Sequence, residues 1–215
     1  MKNKIKKIHF IGIGGSGMSG IAEVMHNLGF KVSGSDSTST NVTAELKRMG
    51  IRVYTKHAAK NITGVDVIVS STAITKNNIE IKEGKDKNIP IIARAEMLSE
   101  LMRFKTGIAV AGTHGKTSTT SLLASILSQG GLDPTFVIGG RINSMKANAK
   151  LGEGDIFVVE ADESDASFLH LNPINTIVTN IDRDHLETYQ GDFERLKATY
   201  LAFIHQVPFY SNVFL

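Results

Sequence analysis

The stretch VAGTHGKTSTT, from Val110 to Thr120, decides how the second half of the chain folds. An apolar run typical of a buried strand precedes it, and a helix-like segment ending at Gly130 follows it. A glycine turn at a helix start can bind an anion, because backbone N–H groups converge there at the positive end of the helix dipole. The common nucleotide pattern, G-x-x-x-x-G-K-[ST], requires glycine where this chain has Val110. The stretch therefore predicts a phosphate site with a shortened fingerprint.

Two side chains of this loop carry the predicted chemistry. Lys116 can neutralise the β- and γ-phosphates of a nucleotide, and the hydroxyl of Thr117 can face a magnesium ion. The alternative is an ordinary helix start in which the letters GKT occur by chance. The strand–loop–helix setting favours the phosphate site.

Acidic residues follow two further apolar strands of this half. Glu160 and the acidic run to Asp165 follow IFVV, whereas Asp182, Asp184 and His185 follow TIVTN. Ligands of open α/β sheets gather at the carboxyl ends of the strands, so these side chains should reach the edge that carries Lys116. Carboxylates suit Mg²⁺, which prefers oxygen ligands. Taken alone, His185 is better explained as a surface helix cap.

A second glycine loop lies near the start of the chain. The segment 12–17 fits G-x-G-x-x-G between a strand and a helix predicted over 18–28, and Asp36 ends the next strand. The glycines would let backbone N–H groups approach a diphosphate, and Asp36 would meet a ribose hydroxyl. The pattern does not distinguish NAD from a nucleotide sugar. A tight turn without a ligand is the structural alternative.

Strand-like and helix-like segments alternate along the whole chain, which predicts an α/β protein with mostly parallel sheets. We expect a Rossmann-like N-terminal domain over residues 1–104 and a P-loop-type ATPase domain over residues 105–215. The second domain shows three strands, and its alternation stops at FYSNVFL. We therefore expect it to be truncated.

Composition excludes several classes of function. The 215 residues include no cysteine, which excludes disulfides, thiolate metal sites and cysteine nucleophiles. The net charge of +3 is too diffuse to indicate nucleic acid as a partner. No apolar run is long enough to predict a membrane span, and the basic start MKNKIKK leads into a strand and not a signal core. We expect a cytoplasmic protein, and we predict no oligomeric state.

Four segments together resemble the Mur ligase family: GIGGSGMSG, GTHGKT, EADESDASFLHL and VTNIDRDHLETY. The similarity extends from about Lys7 to Tyr210, and the combination of four motifs is highly specific. The resemblance implies a UDP-sugar domain at residues 1–104 and an incomplete central ATP-binding domain at residues 105–215. The family's third, C-terminal domain has no counterpart in this sequence.

The resemblance also implies roles for individual residues. Catalysis would depend on Lys116, Glu160 and His185, and the metal ligands would be Thr117, Glu160 and His185, which replaces the helix-cap interpretation of His185. The implied ATP-binding residues are Gly112, Thr113, His114, Gly115, Lys116, Thr117 and Ser118. The implied UDP-sugar-binding residues are Gly14, Gly15, Ser16, Gly17 and Met18, to which Asp36 is added from its position.

The activity implied by the resemblance is ATP-dependent amide formation with Mg²⁺ as cofactor, in peptidoglycan precursor synthesis. L-alanine would be joined to the lactyl carboxylate of UDP-N-acetylmuramate through an acyl phosphate. Three alternatives stay open: a ligase that attaches a tripeptide to the same UDP-sugar during wall recycling, a dinucleotide-dependent oxidoreductase, and a non-catalytic nucleotide-binding remnant. We expect the 215-residue chain by itself to bind ligands without catalysis.

Overall fold

The computed structural model describes residues 4–15, 17–142 and 147–215. The chain forms two compact units, Met1–Met97 and Leu98–Leu215, each built around its own sheet. Helix α4 (Arg94–Met102) runs across the division between them. The domain boundary after residue 104 therefore stays a prediction. None of the described helices combines the length and the apolar character that crossing a membrane requires.

The first unit alternates strands and helices. Its strands are β1 (Lys7–Ile11), β2 (Lys31–Ser35), β3 (Arg52–Tyr54), β4 (Val67–Ser70) and β5 (Ile91–Ala93). Its helices are α1 (Met18–Asn27), α2 (Asn41–Arg48), α3 (Ile79–Asp86) and the start of α4. The observed α1 ends one residue before the predicted helix, with Leu28 as its cap.

The five strands of this unit pair in the order β3-β2-β1-β4-β5, and every pairing is parallel. Strand order reverses at β1, because β2 and β3 lie to one side of it and β4 and β5 to the other. The loop after β1 is therefore at a topological switch point, where open α/β sheets bind their ligands. This loop is the predicted glycine loop.

Buried aliphatic side chains hold the first sheet to its helices. Ile11, Ile62, Ile68 and Ile81 form one cluster, in which Ile62 and Ile68 are completely inaccessible to solvent. Gly84 lets α3 approach the sheet closely, since a methyl group there would lie 2.6 Å from the Cδ1 of Ile68. The close helix–sheet contact explains a glycine in the middle of a helix.

The described residues of the second unit contain six strands. They are β6 (Thr106–Ala111), β7 (Thr135–Ile142), β8 (Ala147–Lys150), β9 (Ile156–Glu160), β10 (Asn175–Val178) and β11 (Val213–Phe214). Helices α5 (Lys116–Gln129) and α6 (Phe193–Ile204) accompany them. The sequence patterns had predicted β6, β9, β10 and helix α5, but not β7, β8 or β11.

These strands pair in the order β11-β10-β6-β9-β7-β8, with all pairs parallel except β7 and β8. Strand β6 lies between β9 and β10. The loops that follow these three central strands therefore leave the sheet at the same edge. This topology places the GKT loop beside the two acidic segments, as the sequence predicted.

Aromatic and aliphatic side chains form the core of the second unit. Phe136, Ile138 and Val158 pack with Ala124 of α5, and all four are at most 1% exposed. On α6, Phe203 stacks on Phe168 with 4.7 Å between ring centroids, and Tyr200 meets Phe168 edge to face. The acidic segment after β9 is thereby fixed to α6, because Phe168 ends that segment.

Candidate functional site

The backbone of the GKT loop is held against the loop that follows β10. A methyl group on Gly112 would lie 2.0 Å from Thr179 Oγ1, so no larger residue fits there in this arrangement. Thr179 and Asn180 both donate side-chain hydrogen bonds to the carbonyl of His114, over 2.6 and 2.8 Å. The Asn180 carbonyl also accepts the amide of Thr113 over 3.1 Å. These contacts hold the loop in a defined shape.

Three predicted ATP-binding positions lie within this arrangement. Thr113 is 4% exposed, and its hydroxyl accepts the amide of Asp182 over 2.9 Å. The His114 ring is exposed, and its Nε2 lies 3.7 Å from Asp182 Oδ2. Gly115 caps α5 in the left-handed conformation, with φ of 81°. Asp182 is thus a partner of the loop.

The ammonium group of Lys116 is turned into its own loop. It donates hydrogen bonds to the carbonyls of Gly112, over 2.7 Å, and Thr113, over 3.2 Å. The third partner is the carboxylate of Glu163, whose oxygens lie 2.8 and 2.9 Å from Nζ. Burial raises the pKa of Glu163, whereas the hydrogen bond from Lys116 acts in the opposite direction. Lys116, the predicted phosphate ligand, therefore takes part in a largely buried ion pair with Glu163.

Thr117 and Glu160 form the predicted metal side of the loop. The Thr117 hydroxyl donates to Glu160 Oε1 over 2.9 Å, and Glu160 Oε2 accepts the amide of Gly139 over 2.7 Å. These are hard oxygen donors, which Mg²⁺ prefers. Among the described residues, no group of three or more His, Asp or Glu side chains could hold a metal ion. A hydroxyl and one carboxylate fit an ion that retains waters and takes its remaining oxygens from substrate phosphates.

His185 lies in the loop after β10, at the same sheet edge as Lys116. Its backbone is left-handed, with φ of 53°, and its amide donates to Asp184 Oδ1 over 2.8 Å. Nε2 lies 3.9 Å from Asp184 Oδ2, and the side chain is 46% exposed. In the described parts of the chain, no hydrogen bond or ion pair joins its side chain to Thr117 or Glu160. Its role as a metal ligand stays a prediction.

The remaining carboxylates of the acidic run organise its turns. Asp162 accepts the amide and hydroxyl of Ser164, and Asp165 accepts the amide of Ser167 over 2.9 Å. Tyr189 donates its hydroxyl to the backbone carbonyl of Glu163. Burial and the nearby Glu163 raise the pKa of Tyr189 to about 12. These contacts fix the backbone on both sides of Glu163.

The glycine loop of the first unit uses most of its described amides internally. Gly14 donates to Asp36 Oδ2 over 2.9 Å, and Gly15 donates to the carbonyl of Gly12 over 3.1 Å. The other carboxylate oxygen of Asp36 accepts the amide of Thr38 over 2.9 Å. Asp36 therefore orders the loop in this structure. Its predicted contact with a ribose hydroxyl stays a prediction.

The guanidinium group of Arg94 lies beside the glycine loop of the first unit. Gly17 is the N-terminal cap of α1, with φ of 74°, and a methyl group there would lie 2.9 Å from Nη1 of Arg94. The side chain of Met18, a predicted UDP-sugar contact, is buried in the core at 1% exposure. Ser16 lies outside the described residues. Arg94 gives the predicted diphosphate site a guanidinium, which suits phosphate oxygens.

We did not predict from the sequence the positions of Arg94, Thr179 and Asn180 beside the two loops. The pairing of Glu163 with Lys116 was not predicted either. Thr179 and Asn180 were the last letters of a predicted strand, and the position of a strand end beside the loop was the available signal. Glu163 is one of four acidic residues among the six positions from Glu160 to Asp165, and nothing in the sequence separates the buried one from the three half-buried ones. Arg94 follows β5 at the same sheet edge as the glycine loop.

Comparison with known proteins finds matches along nearly the whole chain. The domain described as "Mur ligase family, catalytic domain" matches residues 7–106, and the "Mur ligase middle domain" matches residues 110–215. The UDP-N-acetylmuramate–L-alanine ligase of Neisseria gonorrhoeae is 59% identical over 215 residues, and that of Herminiimonas arsenicoxydans is 60% identical over 211. The chain spans 46% and 45% of their respective lengths.

Solved structures agree with these sequence matches. The UDP-N-acetylmuramate–alanine ligase of Thermotoga maritima superposes with a TM-score of 0.86 at 34% identity, covering 94% of this chain and 47% of that one. The UDP-N-acetylmuramate:L-alanyl-γ-D-glutamyl-meso-diaminopimelate ligase of Neisseria meningitidis gives a TM-score of 0.89 at 30% identity, covering 97% and 70%. Both similarities extend over the two units described above.

Proposed function

The chain belongs to the Mur ligase family, and on this premise we propose that it supplies the ATP and UDP-sugar sites of a UDP-N-acetylmuramate–L-alanine ligase. The observation that carries the proposal is the cluster of Lys116 and Thr117 at the start of α5 with Glu160 at the end of β9. A cation, a hydroxyl and a carboxylate meet there at the carboxyl edge of a parallel sheet. Such a cluster suits the phosphates and metal ion of a nucleotide.

The reaction joins a carboxylate to an amine, and the carboxylate must first be activated. An oxygen of the lactyl carboxylate attacks the γ-phosphorus of ATP, the bond to the bridging oxygen breaks, and ADP leaves. The resulting acyl phosphate has a good leaving group. The amine of L-alanine attacks the acyl carbon, phosphate departs, and the amine loses a proton. No protein nucleophile is required.

The chain's own residues supply position and charge to the first step. Lys116 would bind phosphate oxygens once its ammonium leaves the internal acceptors of the loop. Backbone amides at the start of α5 would orient the phosphate chain at the positive helix end. Thr117 and Glu160 would hold Mg²⁺, which when bound supplies positive charge to offset that of the transferring phosphoryl group. Such positioning and neutralisation account for most catalysis of phosphoryl transfer.

The glycine loop of the first unit is the proposed site of the UDP-sugar diphosphate. It lies at the switch point of the first sheet, at the start of α1, and Arg94 stands beside it. The guanidinium can bind two phosphate oxygens at once. With Gly14 and Gly15 amides already engaged, Arg94 supplies the positive charge that this site needs.

Two alternatives are less well supported. The tripeptide ligase of Neisseria meningitidis shares this fold at 30% identity, but relatives named as L-alanine ligases reach 59% and 60%. We therefore propose L-alanine as the amine substrate. A dinucleotide-dependent oxidoreductase would not need the second phosphate loop. The cytoplasmic location inferred from the sequence stays a prediction.

The binding part of this proposal can be tested on the 215-residue chain. Calorimetric titration should detect UDP-N-acetylmuramate and Mg-ATP, each with a stoichiometry of one. NAD is the control ligand and should not bind. A folded chain that binds neither of the first two ligands contradicts the proposal, and NAD binding would favour the oxidoreductase. We expect no alanine-dependent ADP release from this chain alone.

A further inference from the structure

The ammonium of Lys116 has no donor left for a phosphate in this structure. A lysine has three N–H donors, and Lys116 directs them at two loop carbonyls and at Glu163. Only 14% of its side chain is exposed. A phosphate oxygen can therefore reach Nζ only by displacing one of these acceptors.

Of the three acceptors, Glu163 is the one whose separation from Lys116 changes the electrostatic energy most, because it is a carboxylate and the other two are backbone carbonyls. Its side chain is 1% exposed, and Lys116 is the cation that faces it. Among the described residues, no further donor reaches Glu163 Oε2, which lies 2.8 Å from Nζ. A buried carboxylate that loses its cationic partner is strongly disfavoured. Phosphate and Glu163 are thus rivals for one ammonium group.

We propose that Glu163 is a placeholder for the nucleotide phosphate: it holds Lys116 inside the loop until ATP arrives, and it competes with ATP for that ammonium. This inference rests on the proposed function of the loop. Glu163 is a positioning residue, since it acts through Lys116 and touches no substrate. Its competition weakens nucleotide binding, and it returns Lys116 to the loop when the nucleotide leaves.

The direct test compares ATP affinity in the wild-type chain and in Glu163→Gln. Glutamine keeps the size of the side chain and one acceptor for Lys116 but removes the charge. We expect Mg-ATP to bind about tenfold more tightly, which corresponds to roughly 1.4 kcal/mol. Damage to the fold would weaken binding, so a gain is not a structural side effect. Unchanged or weaker binding in the folded variant overturns the proposal.

Two further variants separate this mechanism from a general loss of negative charge. Asp165→Asn removes the same charge two residues away and can still accept the amide of Ser167. We expect it to change ATP affinity by less than about threefold. In a Lys116→Met background, the gain from Glu163→Gln should shrink to that of Asp165→Asn, because the two residues act as a coupled pair. A full gain without Lys116 contradicts competition for the ammonium.

A second readout does not depend on nucleotide binding. The nucleotide-free chain is treated with an amine-reactive acylating reagent, and modification of each lysine is followed by mass spectrometry. Glu163→Gln should increase the rate at Lys116 several-fold, whereas Lys197, on the exposed face of α6, should react equally in both proteins. Equal rates at Lys116 contradict the holding role. A wild-type chain that binds no Mg-ATP contradicts the proposed function instead, and this labelling still decides the role of Glu163.

Discussion

The hydroxyl of Thr117 donates a hydrogen bond to the carboxylate of Glu160, with 2.9 Å between Oγ1 and Oε1. The two residues are 43 positions apart in the chain and come from the start of α5 and the end of β9. The parallel pairing of β6 with β9 brings them together. We propose that a metal ion bound to nucleotide phosphates lies beside these two oxygens.

We predict that Glu160→Gln makes ATP binding more dependent on magnesium. Glutamine can still accept the amide of Gly139, but it is a weaker ligand for Mg²⁺ than a carboxylate. ATP affinity should fall about tenfold at low magnesium and recover partly at high magnesium. Glu153→Gln, on an exposed turn, is the matched control. An unchanged magnesium dependence of Glu160→Gln would remove this residue from the metal shell.

A separate prediction concerns His185→Ala. If His185 is a ligand of a second magnesium ion, its loss should shift the magnesium dependence of ATP binding in the same direction as Glu160→Gln. His205→Ala is the control, because His205 caps α6 away from the loop. A His185→Ala chain that titrates like wild type would remove His185 from the metal shell; the helix-cap interpretation is already wrong, because α6 begins at Phe193 with Asp192 as its cap.

Lys116→Ala should weaken binding at the proposed ATP site and leave binding at the proposed UDP-sugar site nearly unchanged. The proposed ATP and UDP-sugar sites belong to different units, and the hydrogen-bond partners described for the Lys116 ammonium, Gly112, Thr113 and Glu163, belong to the same unit as Lys116. We expect Mg-ATP affinity to fall by at least about tenfold, and UDP-N-acetylmuramate affinity to change by less than about tenfold. Calorimetry with both ligands gives the two values. A large loss of sugar binding would contradict the assignment of two sites.

Gly112→Ala should destroy the loop through a clash, not only through backbone strain. The added methyl would meet Thr179 Oγ1 at 2.0 Å and the Thr179 amide at 3.1 Å, at a φ of 138°. We expect ATP binding to be lost. Gly131→Ala is the control, since Gly131 also has positive φ but open space around it. That variant should lose about 1 kcal/mol of stability and keep ATP binding. Normal ATP affinity in Gly112→Ala would contradict the loop geometry.

The first unit should lose stability in acid through Glu80. Burial raises the pKa of this carboxyl, but the nearby His9 ring and the hydrogen bonds from Ser35 and Asn61 together outweigh burial and lower the pKa from 4.5 to about 2. Because the folded-state pKa is depressed, the stabilisation is complete above about pH 4.5 and disappears as the pH falls through about 2. It amounts to something on the order of 3 kcal/mol.

Urea unfolding of the wild-type chain and of Glu80→Gln measures this contribution. Other carboxyls titrate in both proteins, so the difference between the two free energies of unfolding isolates Glu80. The wild-type advantage should be constant near neutral pH and should narrow between about pH 4.5 and about pH 2. A difference that does not change with pH in this range would show that the Glu80 carboxylate is not specially stabilised.

The elements that could be predicted from the sequence are those whose residue pattern matches the secondary structure and burial that they have in the fold. Strands β1, β6, β9 and β10 are mostly buried and contain closely spaced apolar residues, as expected for parallel strands. It did not predict α3, because Gly84 and several charged residues weaken the helical pattern of IEIKEGKD. Position 84 requires glycine because α3 packs closely on Ile68, and this contact is visible only in the folded chain.

In the candidate site, too, some features could be predicted from the sequence and others depend on contacts in the folded chain. Lys116, Thr117 and Glu160 could be predicted because their residue types suit phosphate or Mg²⁺ and because they lie at or just after the ends of predicted strands. The partnership of Lys116 with Glu163 could not be, since burial distinguishes Glu163 from Asp162 and Asp165 and the sequence does not show burial. Strands β7 and β8 were missed because TFVIGGRI contains a glycine pair that resembles a turn.

The most direct test of the central claim is to place these residues in a complete ligase. In a chimera, residues 1–215 replace the matching segment of the Neisseria gonorrhoeae relative, and mass spectrometry follows UDP-N-acetylmuramoyl-L-alanine formed from UDP-N-acetylmuramate, L-alanine and Mg-ATP. We predict product and ADP in equal amounts, and no product from the Lys116→Ala chimera. A folded chimera that binds both nucleotides yet forms no product, or a Lys116→Ala chimera as active as its parent, would contradict the account.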